Sequence, residues 1–130
     1  MPRFLTVADV LAIHSDQVST FGGAHGIRDR AGLESAVGQA QQTFAYTDDL
    51  HETAAQYCIS LAKNHPFLDG NKRIGADCML TFLVLNGIEP TMTSAQLFEA
   101  TMRVAVGKLD RAKLADFLRA HSGNPSAPPR

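Results

Sequence analysis

The chain has 130 residues, 45% of them hydrophobic, and a formal net charge of −1 at pH 7. These values predict one soluble domain that buries a core without disulfide help, and they exclude the broad basic surface of a general nucleic-acid binder. The longest apolar run, Met79 to Leu85, is too short to cross a membrane, and the first residues do not open a secretion signal. We therefore expect a cytoplasmic protein without a membrane anchor and without direct nucleic-acid contacts.

Capping residues and apolar spacing predict six helices and almost no strand. The predicted starts lie at Thr6, at Asp29, at Asp48 or Asp49, near Asn71, at Thr93 and at Asp110. The fourth helix, about Asn71 to Asn86, is apolar nearly all round, which is typical of a helix in the centre of a bundle. The pattern thus predicts an all-α bundle around a buried central helix, spanning residues 1–122, followed by a disordered tail over residues 123–130.

The two cysteines, Cys58 and Cys78, fall in apolar helical stretches. They have neither a CxxC spacing nor a matching pair of histidines, so a zinc site is not indicated. We expect both to be buried thiols in a reducing compartment.

The most informative segment is residues 65–73, His-Pro-Phe-Leu-Asp-Gly-Asn-Lys-Arg. Pro66 should end the preceding helix at His65, and Gly70 should permit a tight turn into the next helix. A histidine can take a proton at neutral pH, and a helix N-terminus that carries Lys72 and Arg73 is suited to an anion. The segment therefore predicts phosphoryl or nucleotidyl transfer.

Each of these residues also has a purely structural interpretation. His65 could bond a carbonyl at a helix end, Asp69 could be an ordinary turn or cap residue rather than a magnesium ligand, and Asn71 could serve only as an N-cap. The glycine-rich segment Phe21 to Arg30 could be a plain loop between helices.

The segment resembles the signature of the Fic/Doc superfamily, His-x-Phe-x-(Asp/Glu/Asn)-(Gly/Ala)-Asn-(Gly/Lys)-Arg. The Gly26-Ile27-Arg28-Asp29 and Leu85-Asn86-Gly87-Ile88 stretches are also similar to the family. Lys72 stands where the adenylyl-transferring Fic branch has glycine, and Ala76 stands where that branch has a second arginine. The chain therefore resembles the Doc (death-on-curing) branch.

The resemblance implies a six-helix Fic-type bundle and a Mg-ATP-dependent kinase. In this scheme His65 is the general base, Phe67 points into the core and Asp69 binds Mg²⁺. The nucleotide and its phosphates would be held by four residues of the same segment, Gly70, Asn71, Lys72 and Arg73. A flap that pairs with the target protein would include Gly22, Gly23, His25 and Gly26.

The Doc resemblance further implies a toxin of a type II toxin–antitoxin system. Its target would be a threonine of elongation factor Tu, with arrest of translation as the outcome. Some Fic proteins inhibit themselves through a Ser/Thr-x-x-x-Glu helix whose glutamate blocks the nucleotide site. None of the four glutamates here fits that pattern, because the residues four positions before them are Arg30, Asp48, Leu85 and Ala95. Control should then come from a separate Phd-like antitoxin that folds on binding.

Three rival functions remain open. An adenylyltransferase on the same scaffold would move a whole nucleotide monophosphate. A catalytically idle binding module has no chemical reason to keep His65, Asp69 and Arg73 together. A metal-dependent hydrolase would need further ligands at metal-binding spacing.

Overall fold

A computed structural model describes residues 1–123, and within that range the chain forms six α-helices and two very short strands. The elements in chain order are α1 (Val7–Phe21), α2 (Arg30–Thr47), α3 (Leu50–Asn64), α4 (Asn71–Leu85), β1 (Glu89–Pro90), α5 (Ser94–Ala105), α6 (Arg111–Ala120) and β2 (Ser122–Gly123). The predicted all-α fold is confirmed.

The helix starts lie where the capping residues indicated. Thr6 and Thr93 both form capping boxes with the residue three positions later. Asp49, not Asp48, is the N-cap of α3, and its side chain accepts a hydrogen bond from the Glu52 N–H. Asp48 instead ends α2 in the left-handed conformation, with φ of 52°. Adjacent aspartates therefore end one helix and begin the next.

Two helices lie inside the bundle rather than the single one predicted: α3 contacts α2, α4, α5 and α6, and the predicted central helix α4 contacts α1, α3 and α5. The buried residues of α4 lie on several sides of the helix: Ile74, Gly75, Ala76, Cys78, Met79, Phe82 and Leu83. At Gly75 a Cβ atom would lie 2.9 Å from the carbonyl oxygen of Cys58 in α3. Because no side chain separates the two backbones there, α3 and α4 pack unusually close together. This contact fixes the two helices that flank the segment 65–70.

Both cysteines are free and buried, as predicted. Burial raises the pKa of the Cys58 thiol to about 12, and burial likewise raises the pKa of the Cys78 thiol. Neither side chain is therefore a reactive thiolate at neutral pH.

The strand pair joins the end of α4 to the end of α6. Glu89 pairs with Gly123 and Pro90 with Ser122 in an antiparallel arrangement that is too short to leave a period-2 pattern in the sequence. Gly123 thus belongs to a strand, so the predicted start of the disordered tail at residue 123 is wrong by one residue. The rest of that predicted tail, 124–130, lies outside the described residues. Through residue 123, no helix is both long and apolar enough to cross a membrane.

Candidate active site

The segment between α3 and α4, residues 65–70, forms a loop that we call the catalytic loop. It begins at His65, which ends α3 in the left-handed conformation with φ of 47° and ψ of 55°. It finishes at Gly70, whose φ of 81° suits a residue without a Cβ atom and which is the N-cap of α4. Pro66 and Gly70 thus terminate and restart the helices as their backbone preferences predict.

The backbone of His65 is held from the neighbouring segment by Arg28. The Arg28 side chain donates from Nε to the His65 carbonyl at 2.9 Å, and its backbone N–H donates to the Pro66 carbonyl at 2.7 Å. The Asp29 N–H bonds the same Pro66 carbonyl at 3.0 Å. These bonds satisfy the carbonyls of the two residues that follow α3, while the His65 side chain stays exposed.

The middle of the catalytic loop is anchored in the core through Phe67, which is 1% exposed. This agrees with the inward orientation expected from the resemblance. The side chain of Asn71 accepts from the Phe67 N–H and donates to the Phe67 carbonyl, each at 3.0 Å. Asn71 therefore shapes the loop through both ends of its amide, and it is the first residue of α4 rather than its N-cap.

Asp69 presents an exposed carboxylate immediately before α4. One of its oxygens, Oδ1, accepts a hydrogen bond from the Gly70 N–H at 2.8 Å. The other, Oδ2, would lie 2.7 Å from a Cβ atom at Gly23. Only a glycine at position 23 lets the segment after α1 approach the carboxylate this closely.

The C-terminal part of the glycine-rich segment pairs with the middle of the catalytic loop. Ile27 forms an antiparallel bridge with Phe67, and the Leu68 N–H donates to the Gly26 carbonyl at 3.2 Å. Gly22 ends α1, and His25 is exposed. Two of the four predicted flap residues thus border the catalytic loop, with Gly23 against Asp69 and Gly26 against Leu68.

The catalytic loop opens into a cavity of about 530 Å³. One side is formed by the loop and the first turns of α4, and the other by α5. The lining residues are His65, Leu68, Asp69, Gly70, Asn71, Lys72, Arg73 and Ala76, facing Ser94, Leu97, Phe98, Thr101 and Met102. The structure therefore brings all six motif residues that the sequence nominated for catalysis, metal or nucleotide binding to one cavity.

The cationic end of this cavity is the N-terminus of α4. No side chain caps that helix at Gly70, so its first N–H groups remain available to a ligand. Lys72 and Arg73 are exposed there, and neither takes part in a salt bridge with another residue of 1–123. The Arg73 guanidinium carbon lies 5.0 Å from the centroid of the Phe21 ring, a cation–π contact that orders the side chain. A positive dipole end with two unpaired cations is suited to phosphate.

Two parts of the site were not predicted from the sequence. His14 of α1 bonds and packs against the catalytic loop. Its spacing of four residues from Val10 and from Val18, both core residues, was a signal that it faces inward. The α5 wall was also missed, because the sequence does not show that Phe98, which is 69% exposed, faces the catalytic loop across the cavity.

Comparison with known proteins identifies the scaffold. A model of the Fic/DOC family matches residues 4–83, which include α1 to most of α4 and the whole catalytic loop. The chain belongs to the Fic/Doc family. The match includes the whole 65–73 motif and the 26–29 stretch, whereas the 85–88 stretch, α5 and its cavity wall lie beyond it.

Two Fic/Doc relatives extend the comparison. The chain is 32% identical over 124 residues to the protein kinase doc of Escherichia phage P1, an alignment that covers 94% of this chain and 98% of the relative. It is 38% identical over 92 residues to the toxin Doc of Mycolicibacterium smegmatis, with 68% of each chain covered. The first alignment spans nearly the full length of both proteins.

Proposed function

We propose that this chain is the toxin of a bacterial type II toxin–antitoxin pair and acts as a cytoplasmic protein kinase. It transfers the γ-phosphate of ATP to a threonine hydroxyl of a target protein, for which elongation factor Tu is our candidate, and so arrests translation. The observation that carries the proposal is the single cavity that His65, Asp69, Lys72 and Arg73 share. The names of the relatives, protein kinase doc and toxin Doc, support the same class.

In the proposed reaction His65 is the general base. Its side chain is exposed and lines the cavity while its backbone is fixed by Arg28, so the imidazole can accept a proton from an entering hydroxyl. The hydroxyl oxygen then forms a bond to the γ-phosphorus, and the bond from that phosphorus to the bridging oxygen breaks. ADP leaves with that electron pair.

The phosphates are held by the N-terminus of α4 in this scheme. The free N–H groups of its first turn, together with Lys72 and Arg73, offset the charge of the triphosphate. Arg73 offers two parallel N–H donors, whereas Lys72 supplies a compact charge. Because both cations are unpaired within the described chain, binding breaks no existing salt bridge of theirs.

Asp69 fits the metal expected with ATP. Mg²⁺ is commonly bound by one or two carboxylates together with substrate phosphates, rather than by a full set of protein ligands. Asp69 supplies one exposed carboxylate beside the phosphate-binding helix end, and among residues 1–123 there is no cluster of three acidic, histidine or cysteine ligands. Mg²⁺ would supply charge neutralisation and orientation of the phosphates.

Phosphoryl transfer is favoured over adenylyl transfer by two side chains at the cavity. Lys72 occupies a position where the adenylyl-transferring branch has glycine, and Ala76 lacks the second arginine of that branch. In Doc-type toxins the lysine accompanies a reversed nucleotide that presents its γ-phosphate. Adenylyl transfer is accordingly the alternative that the test below must separate.

We further propose that a Phd-like antitoxin controls the activity in trans. The surface around the cavity carries several exposed apolar side chains: Phe21, Ile27, Leu68, Phe98 and Met102. An antitoxin segment that folds on contact would bury them. The antitoxin would then take the place of the internal inhibitory glutamate that some Fic proteins have.

The test is the intact mass of elongation factor Tu after incubation with this chain and Mg-ATP. We expect the addition of one phosphate group on a threonine. His65→Ala should slow the addition roughly 10²- to 10⁴-fold, the usual contribution of a positioned base. His121→Ala, which changes a histidine at the end of α6, serves as the matched control and should react at the wild-type rate.

Each of three results would contradict part of the proposal. Addition of a nucleotide monophosphate would establish adenylyl transfer instead. If elongation factor Tu stays unmodified although the wild-type chain is folded and binds ATP, the assigned target is wrong. If His65→Ala keeps full activity, the assigned base is wrong.

A further inference from the structure

One buried histidine lies beside the catalytic loop without a role in the scheme above. His14 is 5% exposed and lies on α1, 55 residues before the loop residue that it bonds. Its ring stacks on Phe67 with a centroid distance of 3.8 Å and an angle of 7° between the planes. Its Nε2 atom lies 3.1 Å from the carbonyl oxygen of Asp69. His14 therefore contacts the loop at two points, on either side of Leu68.

Packing alone does not require a histidine at this position. The neighbouring positions on the same helical face, Val10 and Val18, are apolar core residues. A buried imidazole is costly unless its polar atoms are bonded, whereas an aromatic ring without nitrogen would stack on Phe67 at no such cost. The hydrogen bond to Asp69 is what distinguishes histidine from phenylalanine here. Since a carbonyl oxygen only accepts, Nε2 carries the hydrogen and donates it.

The Asp69 carbonyl needs a partner from outside α4. The first acceptor inside that helix is the carbonyl of Gly70, which bonds the Ile74 N–H at 2.9 Å. Asp69 precedes this cap and lies beyond the helical ladder. The donor from His14 thus fixes the peptide group between Asp69 and Gly70, while the Asp69 carboxylate bonds the N–H of the same peptide. The direction of the carboxylate is coupled to the orientation of that peptide.

We propose that His14 is a positioning residue that sets the Asp69 carboxylate for a divalent cation and the phosphates bound with it. This inference rests on the proposed function, in which Asp69 is the metal ligand. His14 does not touch the reacting groups. It acts by keeping the 69–70 peptide in one orientation before ligand arrives, so that binding does not have to order the loop.

The test compares three variants and two measurements. His14→Phe keeps a ring against Phe67 and loses the donor, whereas His14→Gln loses the ring and keeps an N–H donor. Val10→Ala, one turn earlier on the same face, lowers core packing without touching the loop and is the matched control. The measurements are amide hydrogen exchange of Gly70 in the ligand-free chain and binding of Mn²⁺ with ATP followed by electron paramagnetic resonance.

We expect His14→Phe to speed exchange at the Gly70 amide and to weaken Mn²⁺ binding about five- to tenfold, in line with the loss of one hydrogen bond. His14→Gln should recover part of both effects. Val10→Ala should lower the melting temperature and leave both unchanged. In kinase assays the His14→Phe effect should fall on the concentration of Mg-ATP needed for half-maximal rate.

The inference is overturned if folded His14→Phe matches the wild type in Gly70 exchange and Mn²⁺ binding. It is also overturned if Val10→Ala speeds Gly70 exchange and weakens Mn²⁺ binding by the same factors as His14→Phe. Should His14→Phe fail to fold, His14→Met, which also lacks a donor, replaces it under the same criteria. A wild-type chain that binds Mn²⁺ with ATP but transfers no phosphate would refute the proposed function, while the exchange and binding comparison would still decide the role of His14.

Discussion

At the scale of single residues, the backbone of His65 is held in a left-handed conformation by bonds from another segment. A left-handed conformation costs a residue with a Cβ atom roughly 1–2 kcal/mol, so it persists only where surrounding bonds determine it. Arg28 and Asp29 supply those bonds through the carbonyls of His65 and Pro66. The proposed base thus owes its position to a segment nearly 40 residues earlier in the chain.

A second residue with a defined electrostatic role is Asp49, the N-cap of α3. Burial by itself raises the pKa of its carboxyl group, but the Glu52 N–H and the Arg119 guanidinium outweigh that effect and hold the pKa below its ordinary value of 3.8. A carboxyl whose folded-state pKa is depressed contributes stability that is present above the unfolded-state pKa. That contribution is lost as the pH falls through the folded-state pKa.

Asp49→Asn should therefore lower the free energy of unfolding by about 1 kcal/mol at pH 7, because the cap remains and the charge is lost. The difference from the wild type should shrink once the pH falls below about 4. Urea unfolding at a series of pH values measures it. The matched control is Asp116→Asn, which removes the other carboxylate bonded to Arg119. Because the Asp116 side chain is 74% exposed, this change should have little effect at any pH. A constant Asp49→Asn difference down to pH 3 would contradict this account.

At the scale of elements, the close approach of α3 and α4 sets the geometry of the catalytic loop that joins them. The loop spans only residues 65–70, so a change in the separation of the two helices is carried directly to His65 and Gly70. Gly75 permits the approach, because any Cβ atom there would meet the Cys58 carbonyl. Ordinary helical preference favours alanine at such a position, so the glycine reflects packing.

Gly75→Ala should destabilise the fold by about 1–3 kcal/mol, since relief of the contact requires a backbone shift. Gly38→Ala in α2 is the matched control. Its Cβ atom would meet nothing within 4 Å, so the change should stabilise the chain by up to about 1 kcal/mol. Thermal or urea unfolding of both variants checks the pair. Equal effects of the same sign at the two glycines would show that the α3–α4 contact is not tight.

At the scale of the whole molecule, three separate elements fix the catalytic loop. The segment after α1 pairs with it through residues 26–29, α1 bonds it through His14, and α4 bonds it through Asn71. Within residues 1–123, apolar side chains beside the loop, among them Phe21, Leu68 and Phe98, remain exposed. An ordered site with an apolar border fits a toxin that is active alone and is masked by a partner.

Expression in a bacterial host tests this picture of control. The chain alone should arrest growth, and co-expression of an adjacent antitoxin gene should restore it. The complex should form with a large negative heat-capacity change, since a partner that folds on contact buries apolar surface. His65→Ala expressed alone is the control for toxicity through the proposed reaction. Harmless expression of folded, ATP-binding wild-type chain would count against the toxin role and against control in trans.

Local signals in the sequence predicted the helices well, because Thr6, Asp29, Thr93 and Asp110 cap their helices through side-chain bonds to residues three positions away. The predicted site residues likewise come from one short segment, residues 65–73, so they could be read from the sequence directly. The role of His14 could not be predicted, because its partner lies 55 residues away and the contact depends on how α1 packs.

The cavity wall from α5 was unpredictable for the same reason. Phe98 and Met102 become part of a site only once α5 lies opposite the catalytic loop. The short pairing of β1 with β2 also depends on the end of α6 reaching the end of α4. These features are set by tertiary packing rather than by local preference.

The most direct test of the central claim uses ATP labelled at either the α- or the γ-phosphate. With wild-type chain and the target protein, only the γ label should move to protein. Lys72→Gly should weaken that transfer without a full change of chemistry, because the second arginine is still missing at Ala76. Transfer of the α label by the wild type would contradict the kinase mechanism and would establish adenylyl transfer in its place.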